Sequence, residues 1–145
     1  MFWIKRLVGG PRTKATSEVP SPFSDANTEL VVKLAKVFLS HVRQKAPDFD
    51  RAFYRAVIEP QQHGGRASYV IGEQVTLMDA VQERALFKDL QAISWEIVDL
   101  MGKNRGVLLL VVSKTFDYEI KFEWSDLERW SITKLDGGTG VPTGV

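Results

Sequence analysis

The chain has 145 residues, with 19 Lys and Arg, 18 Asp and Glu and no cysteine, so its formal charge at pH 7 is +1. This length fits one domain with a sizeable core, and the charge balance excludes a strongly basic nucleic-acid binder and an acidic disordered chain. The lack of cysteine excludes disulfides, thiolate nucleophiles, cysteine zinc sites and iron–sulfur clusters.

Residues 1–24 are predicted to form a basic aromatic N-terminal arm and linker, since residues 9–24 are rich in Gly, Pro, Ser and Thr. Charges interrupt the apolar start after Ile4, which is atypical of a secretory signal. No segment approaches the roughly 18 apolar residues that span a bilayer, so we expect a cytoplasmic protein without an integral membrane segment. Phe2-Trp3-Ile4-Lys5-Arg6 could still hold a membrane surface; the alternative is a short strand or arm that packs on the domain.

Two helices are predicted from apolar residues spaced three and four apart. The first spans residues 25–45 and ends before Pro47, which disfavours helical geometry at the preceding residue. The second runs from Thr76 to about Lys103, because Thr76 and Asp79 have the spacing of a capping box. The two buried stripes are Leu30, Leu34, Val37, Phe38 and Val42, and Leu86, Leu90, Ile93, Ile97 and Leu100.

Four strands are predicted, at residues 51–59, 67–75, 107–112 and 116–124, with a loop at 60–66. The last strand carries the clearest pattern, because apolar and charged residues alternate along it with the period of a pleated strand. A short helical turn is expected after Ser125, and Ile132 and Leu135 are candidates for a last short strand.

The order α-β-β-α-β-β predicts an α+β fold, an antiparallel sheet of about four strands with two main helices on one face. The single domain is expected at residues 25–135, followed by a flexible Gly-rich C-terminal tail at 136–145.

An acidic strip is predicted on the polar face of the last strand. Asp117, Glu119 and Glu123 share that face, and Asp126 and Glu128 continue it. Residues two apart on a strand are separated by roughly 7 Å, too far for neighbours to share one metal ion without help. We therefore expect no metal and no cofactor, and two interpretations stay open: a solvated strand surface, or a strip that recognises a partner.

Catalytic chemistry has few candidates, because the only histidines are His41 and His63. His41 borders the apolar stripe of the first helix, and His63 lies in the Gly-rich loop between two strands. Neither has an evident partner for nucleophilic catalysis. We expect no enzyme activity; the alternative is a small hydrolase or transferase that uses His63 and the strand carboxylates.

The helix that ends at Ala46-Pro47, followed by Phe49-Asp50-Arg51-Ala52-Phe53-Tyr54, resembles the start of the YezG-like bacterial immunity proteins. The long helix, the apolar strand and Phe116-Asp-Tyr-Glu-Ile-Lys-Phe-Glu-Trp124 resemble the second half of that family. The similarity extends over residues 28–130 and implies a protein that neutralises a toxin delivered between competing cells.

This resemblance implies a cognate toxin as the partner, which the protein would block by occluding its active site. A toxin that acts on nucleic acid tends to have a basic cleft, and the acidic strip would complement it. Trp124 or Trp130 could anchor such a contact if exposed; the simpler alternative is that both belong to the core. The predicted partner-binding residues are Asp117, Glu119, Glu123, Asp126, Glu128 and Trp130.

Overall fold

The structure, a computed structural model, describes residues 2–7 and 25–145. The predicted linker, residues 9–24, lies outside these ranges. The elements run in the order β1 (Phe2–Leu7), α1 (Asp25–Lys45), β2 (Arg51–Glu59), β3 (Gln62–Ile71), β4 (Gln74–Leu77), α2 (Arg84–Leu100), β5 (Gly106–Ser113) and β6 (Asp117–Glu123). The predicted α+β class is confirmed.

Helix α1 has the predicted bounds, and its apolar stripe is buried with Leu34, Phe38 and Val42 at 0% exposure. After the helix the amide of Ala46 still donates to the carbonyl of Val42. Pro47 then turns the chain into β2, as its restriction on the preceding residue predicts.

Strand β3 lies earlier than the predicted strand at 67–75. It begins at Gln62, within the segment expected to be a loop, and ends at Ile71, before a turn that leads into β4. Of the two glycines there, Gly65 allows close packing, whereas Gly64 faces open space. A Cβ on Gly65 would lie 3.1 Å from Cε1 of Tyr54 and 3.3 Å from Cδ1 of Phe87. Because Glu59 pairs with Gln62, the connection between β2 and β3 is a tight turn.

Helix α2 begins at Arg84, eight positions after the predicted start at Thr76. Thr76 belongs instead to β4, where it pairs with Tyr69 of β3. The Asp79 carboxylate does accept backbone N–H groups, but they are those of Val81 and Gln82 in the turn before the helix. Pairing with the sheet outweighs the local capping pattern.

All strand pairs are antiparallel, and the sheet order is β1-β6-β5-β2-β3-β4. The prediction of about four strands was too low, because β4 and β1 each add an edge strand. Residues 2–7 pair with β6 from Phe2 opposite Phe122 to Leu7 opposite Asp117. The N-terminal segment is thus a short strand, the alternative that the sequence left open.

The two faces of the sheet are covered differently. Both helices pack on one face, against alternate residues of the central strands that include Tyr54, Leu110 and Ile120. The other face is covered by the chain after β6, through Trp130 against Val107 and Leu109, and through residues that pack against Phe53. The segment after β6, which consists of turns, coil and a short 3₁₀ helix at Leu135–Gly137, therefore forms the third layer of the molecule.

The predicted Gly-rich tail is part of this third layer and does not extend as a flexible end. The hydroxyl of Ser68 donates to the carbonyl of Gly140 at 2.6 Å, and the amide of Gly140 donates to Thr133. Gly140 has φ +90°, a conformation that favours glycine. The glycines of this segment allow it to lie flat against β3 and β4.

Candidate functional site

The acidic strip begins on β6, where alternation places the three predicted carboxylates on the face away from the helices. Tyr118, Ile120 and Phe122 are buried on the helix-covered face. Asp117 and Glu119 lie on the opposite face and are half-buried. The alternating pattern therefore predicted the orientation of this strand correctly.

The strip is not continuous, because two basic residues divide it. Nζ of Lys121 lies 3.8 Å from the carboxylate of Glu119. Glu123 forms an ion pair with Nη1 of Arg129 at 2.7 Å, and its side chain is only 14% exposed. The structure therefore separates Asp117 and Glu119 at one end of β6 from Asp126 and Glu128 beyond its other end.

The second acidic group lies on a well-connected turn, residues 123–129, which we call the acidic turn. The Glu123 carboxylate accepts the backbone N–H groups of Ser125 at 3.1 Å and Asp126 at 3.3 Å. These bonds and the Arg129 ion pair lower the pKa of Glu123, with the Arg129 hydrogen bond as the largest cause. The Asp126 carboxylate accepts the amide of Glu128 at 3.0 Å. Side chains and backbone together fix the turn in one conformation.

Arg55 holds the acidic turn against the sheet. Its Nε donates to the carbonyl of Arg129 at 2.7 Å, and its Nη2 donates to the carbonyl of Leu127 at 2.6 Å. Burial lowers the pKa of the Arg55 guanidinium, while the nearby carboxylates of Glu128 and Asp126 act in the opposite direction. An arginine remains charged at neutral pH under such a shift, so Arg55 supplies a fixed positive charge beneath two carboxylates.

Asp126 and Glu128 are both exposed. Glu123 is not available in the same way, because Arg129 and two backbone amides occupy its oxygens. Of the predicted acidic residues, this leaves two presented by the acidic turn and two half-buried on β6.

Trp130 does not lie on the candidate surface. Its side chain is 1% exposed and packs against Val107 and Leu109, with the guanidinium of Arg129 at 4.8 Å from the ring centroid. Trp130 has φ +59°, a backbone conformation that is uncommon for a bulky residue. The prediction of Trp130 as a partner contact is thus wrong for this conformation, because the residue anchors the third layer to the sheet.

Sequence reasoning missed Arg55 and Arg129 as supports of the site. A signal for Arg55 was present: period-two alternation places it on one face of β2 between Phe53 and Val57. A charge at an inward position needs polar partners, and here these are carbonyl groups of the acidic turn. Arg129 gave no comparable signal, because its pairing depends on the path of the turn.

The histidines lie apart from these carboxylates. His63 is exposed on β3 and its Nδ1 lies 3.0 Å from Oε1 of Gln91. Two strands, β5 and β2, separate β3 from β6, which corresponds to about 14 Å at ordinary strand spacing. The structure therefore does not bring His63 together with the strand carboxylates.

His41 takes part in a different cluster, which joins α1 to the start of α2. Its Nε2 lies 2.9 Å from one oxygen of Glu83, and Nζ of Lys45 lies 2.8 Å from the other. The hydrogen bond from Lys45 is the largest cause of a lowered pKa at Glu83. Beside this cluster the two helices form an open groove of about 500 Å³ with Val37, Ala85 and Leu86 in its lining. The cluster is an ion-paired link between helices.

Within residues 2–7 and 25–145, no three potential metal-ligating side chains converge on one point. In the same ranges no helix combines the length and apolar character that crossing a bilayer requires. Neither a protein-family model nor a curated protein matches the chain. The description of the candidate site therefore rests on its own geometry: a hydrogen-bonded turn, two exposed carboxylates and two half-buried arginines that support them.

Proposed function

We propose that this protein is an immunity protein, which binds a cognate bacterial toxin through the acidic turn and prevents access to the toxin's active site. The proposed contact residues are Asp126 and Glu128, with Asp117 and Glu119 as a second contact at the far end of β6. The proposal assigns no catalytic step to the protein itself. It agrees with the resemblance to immunity proteins that the sequence suggests.

The observation that carries the proposal is the fixed conformation of the acidic turn. Arg55 and Arg129 hold its backbone and Glu123, while Asp126 and Glu128 remain exposed. Binding normally costs roughly 0.5–1.5 kcal/mol for each flexible side chain or loop residue that becomes ordered. A turn that is already ordered avoids part of that cost, which favours a role in recognition.

The charge of the turn indicates the chemistry of the partner. Two exposed carboxylates within three residues attract a basic surface, and opposite charges speed association more than they strengthen the final complex. A toxin that acts on nucleic acid would offer such a surface in its active-site cleft. Occupying that cleft would neutralise the toxin without any reaction.

Protection of growth tests the proposal directly. The product of the adjacent gene is expressed as the candidate toxin, together with the wild-type protein or with the Asp126→Asn/Glu128→Gln double variant. Asparagine at 126 keeps an oxygen that can accept the amide of Glu128, so the turn is retained. We expect the wild type to restore growth and the double variant to protect less.

A matched control removes the same charge elsewhere. Glu96 and Asp99 are exposed on α2, and we expect the Glu96→Gln/Asp99→Asn variant to protect like the wild type. The proposal fails if the wild type gives no protection and does not bind the adjacent gene product. If both double variants protect equally well, the acidic turn is not the contact.

A further inference from the structure

A concave surface separate from the acidic turn lies at the Asp117 end of β6, on the sheet face away from the helices. It is a basin of about 210 Å³. Its lining residues are Arg51, Val111, Val112, Ser113, Asp117, Tyr118 and Glu119. They come from three neighbouring strands, so the sheet itself forms the floor.

The strand register places opposite charges on the two walls. Arg51 of β2 pairs with Ser113 of β5, and Val111 of β5 pairs with Glu119 of β6. Arg51 therefore lies on one side of β5, and the carboxylates of Asp117 and Glu119 lie on the other. Two strand spacings separate these walls, about 10 Å between backbones, with Val111 as an apolar floor between them.

The two walls do not neutralise each other. Within the described residues, Arg51 has no carboxylate within ion-pair distance, and its guanidinium lies 5.3 Å from the ring centroid of Phe53. The neighbouring Asp50 is bound elsewhere, by Nζ of Lys114 at 3.1 Å and the amide of Gly72 at 2.6 Å. Arg51 therefore keeps donors for a ligand.

The acidic wall also retains free capacity to accept hydrogen bonds. Among the side chains that the structure describes, the Asp117 carboxylate accepts a hydrogen bond from the hydroxyl of Thr115 at 3.2 Å. Glu119 has Nζ of Lys121 at 3.8 Å, near the limit for an ion pair. A carboxylate can accept about four hydrogen bonds, so this wall can receive an ammonium group.

We propose that this basin binds a small zwitterion, a ligand with a carboxylate at one end, an ammonium group at the other and an aliphatic chain between them. The carboxylate contacts the Arg51 guanidinium, which presents paired donors suited to a carboxylate. The ammonium group contacts Asp117 and Glu119, and the aliphatic chain lies over Val111. A ligand with only one charge leaves one wall without a partner.

Titration with three compounds of equal chain length tests this assignment. The probes are 6-aminohexanoate, hexanoate and hexylamine, added to the purified full-length protein and followed by backbone amide NMR shifts. We expect 6-aminohexanoate to bind with a Kd of about a millimolar, as suits a small ligand in an open site. The shifted amides should be those of Val111, Ser113 and Glu119, and each single-charge probe should bind more weakly.

Single substitutions test which wall of the basin binds which end of the ligand. We expect Arg51→Gln to weaken 6-aminohexanoate binding by about three- to fivefold, the range for partly exposed charge contacts, and to leave hexylamine binding unchanged. Asp117→Asn should weaken 6-aminohexanoate and hexylamine alike. The matched controls are Arg84→Gln and Glu96→Gln, exposed residues of α2, which should change neither Kd.

The proposal is overturned if 6-aminohexanoate binds no more tightly than both single-charge probes, or if its shifts map outside the basin. It is also overturned if Arg51→Gln leaves the Kd within twofold of the wild type. The proposal does not depend on the immunity function, since the ligand is tested on the isolated protein. Failure of either proposal can therefore be recognised separately.

Discussion

Trp130 provides a sharp test of how the third layer is held to the sheet. Its side chain is 1% exposed against Val107 and Leu109. A buried tryptophan removes roughly 200 Å² from water, which at about 25 cal/mol per Å² corresponds to about 5 kcal/mol as an upper value. Some collapse around the cavity reduces this, so we expect Trp130→Ala to lower the free energy of unfolding by about 3–5 kcal/mol.

A second substitution at Trp130 separates the effect of lost side-chain volume from the effect of the buried indole N–H group. The indole Nε1 of Trp130 is buried without an acceptor in the described part of the chain. Phenylalanine keeps most of the apolar contact and removes this donor, so Trp130→Phe should lower the free energy of unfolding by only about 1 kcal/mol.

The assay for both variants is urea unfolding followed by far-UV circular dichroism. A loss below about 0.5 kcal/mol for Trp130→Ala, the usual effect of an exposed substitution, would refute the burial of this residue. It would restore Trp130 as a candidate partner contact.

Three further changes test other parts of the structure. Gly65→Val should lower the free energy of unfolding by about 2 kcal/mol because the space above it is filled, while Gly64→Val, which has no atom within 4 Å of its added Cβ, should have little effect in the same urea assay. Ser68→Ala leaves the buried carbonyl of Gly140 without its donor, which should cost about 1–2 kcal/mol and speed amide hydrogen exchange after residue 130; unchanged exchange would contradict the proposed anchoring. The pKa of Glu83 is lowered in the folded state from its usual value of 4.5, so its contribution is present above that pH and is lost as the pH falls through the lower folded value. Glu83→Gln should therefore flatten the stability curve measured between pH 3 and 6, and an unchanged slope would count against the ion-paired link.

The parts of the fold that sequence predicted well are those in which local pattern and tertiary packing agree. Helix α1 combines an apolar stripe with a stop at Pro47, and β6 alternates without interruption from Asp117 to Glu123. Each element buries the face that carries its apolar residues, so the sequence pattern also predicts which face of α1 and of β6 points toward the core. The orientation of the β6 carboxylates followed from this alone.

The errors occur where distant contacts outweigh the local pattern. Thr76 and Asp79 have capping-box spacing, but pairing between β4 and β3 places Thr76 in a strand. The last ten residues look like a tail because they are rich in glycine, and their contacts with Ser68 and Thr133 depend on the whole sheet. Neither outcome could be predicted from neighbouring residues.

The candidate site was predicted in its residue types and only partly in its geometry. The acidic residues were identified, but the division of the strip depends on Arg129 reaching back to Glu123 across the turn. Arg55 approaches the same turn from a strand more than 70 positions earlier in the chain. Contacts over such separations require the fold, which explains why the sequence predicted a continuous strip.

The most direct test of partner recognition by the acidic turn is the affinity for the adjacent gene product at two salt concentrations. Isothermal titration calorimetry at 50 and 300 mM NaCl would compare the wild type with Asp126→Asn/Glu128→Gln. We expect the wild type to bind more weakly at high salt, because ions screen exposed charges, and the double variant to bind more weakly at low salt and to depend less on salt. Equal affinity and equal salt dependence of the two proteins would contradict the assignment of the acidic turn as the contact.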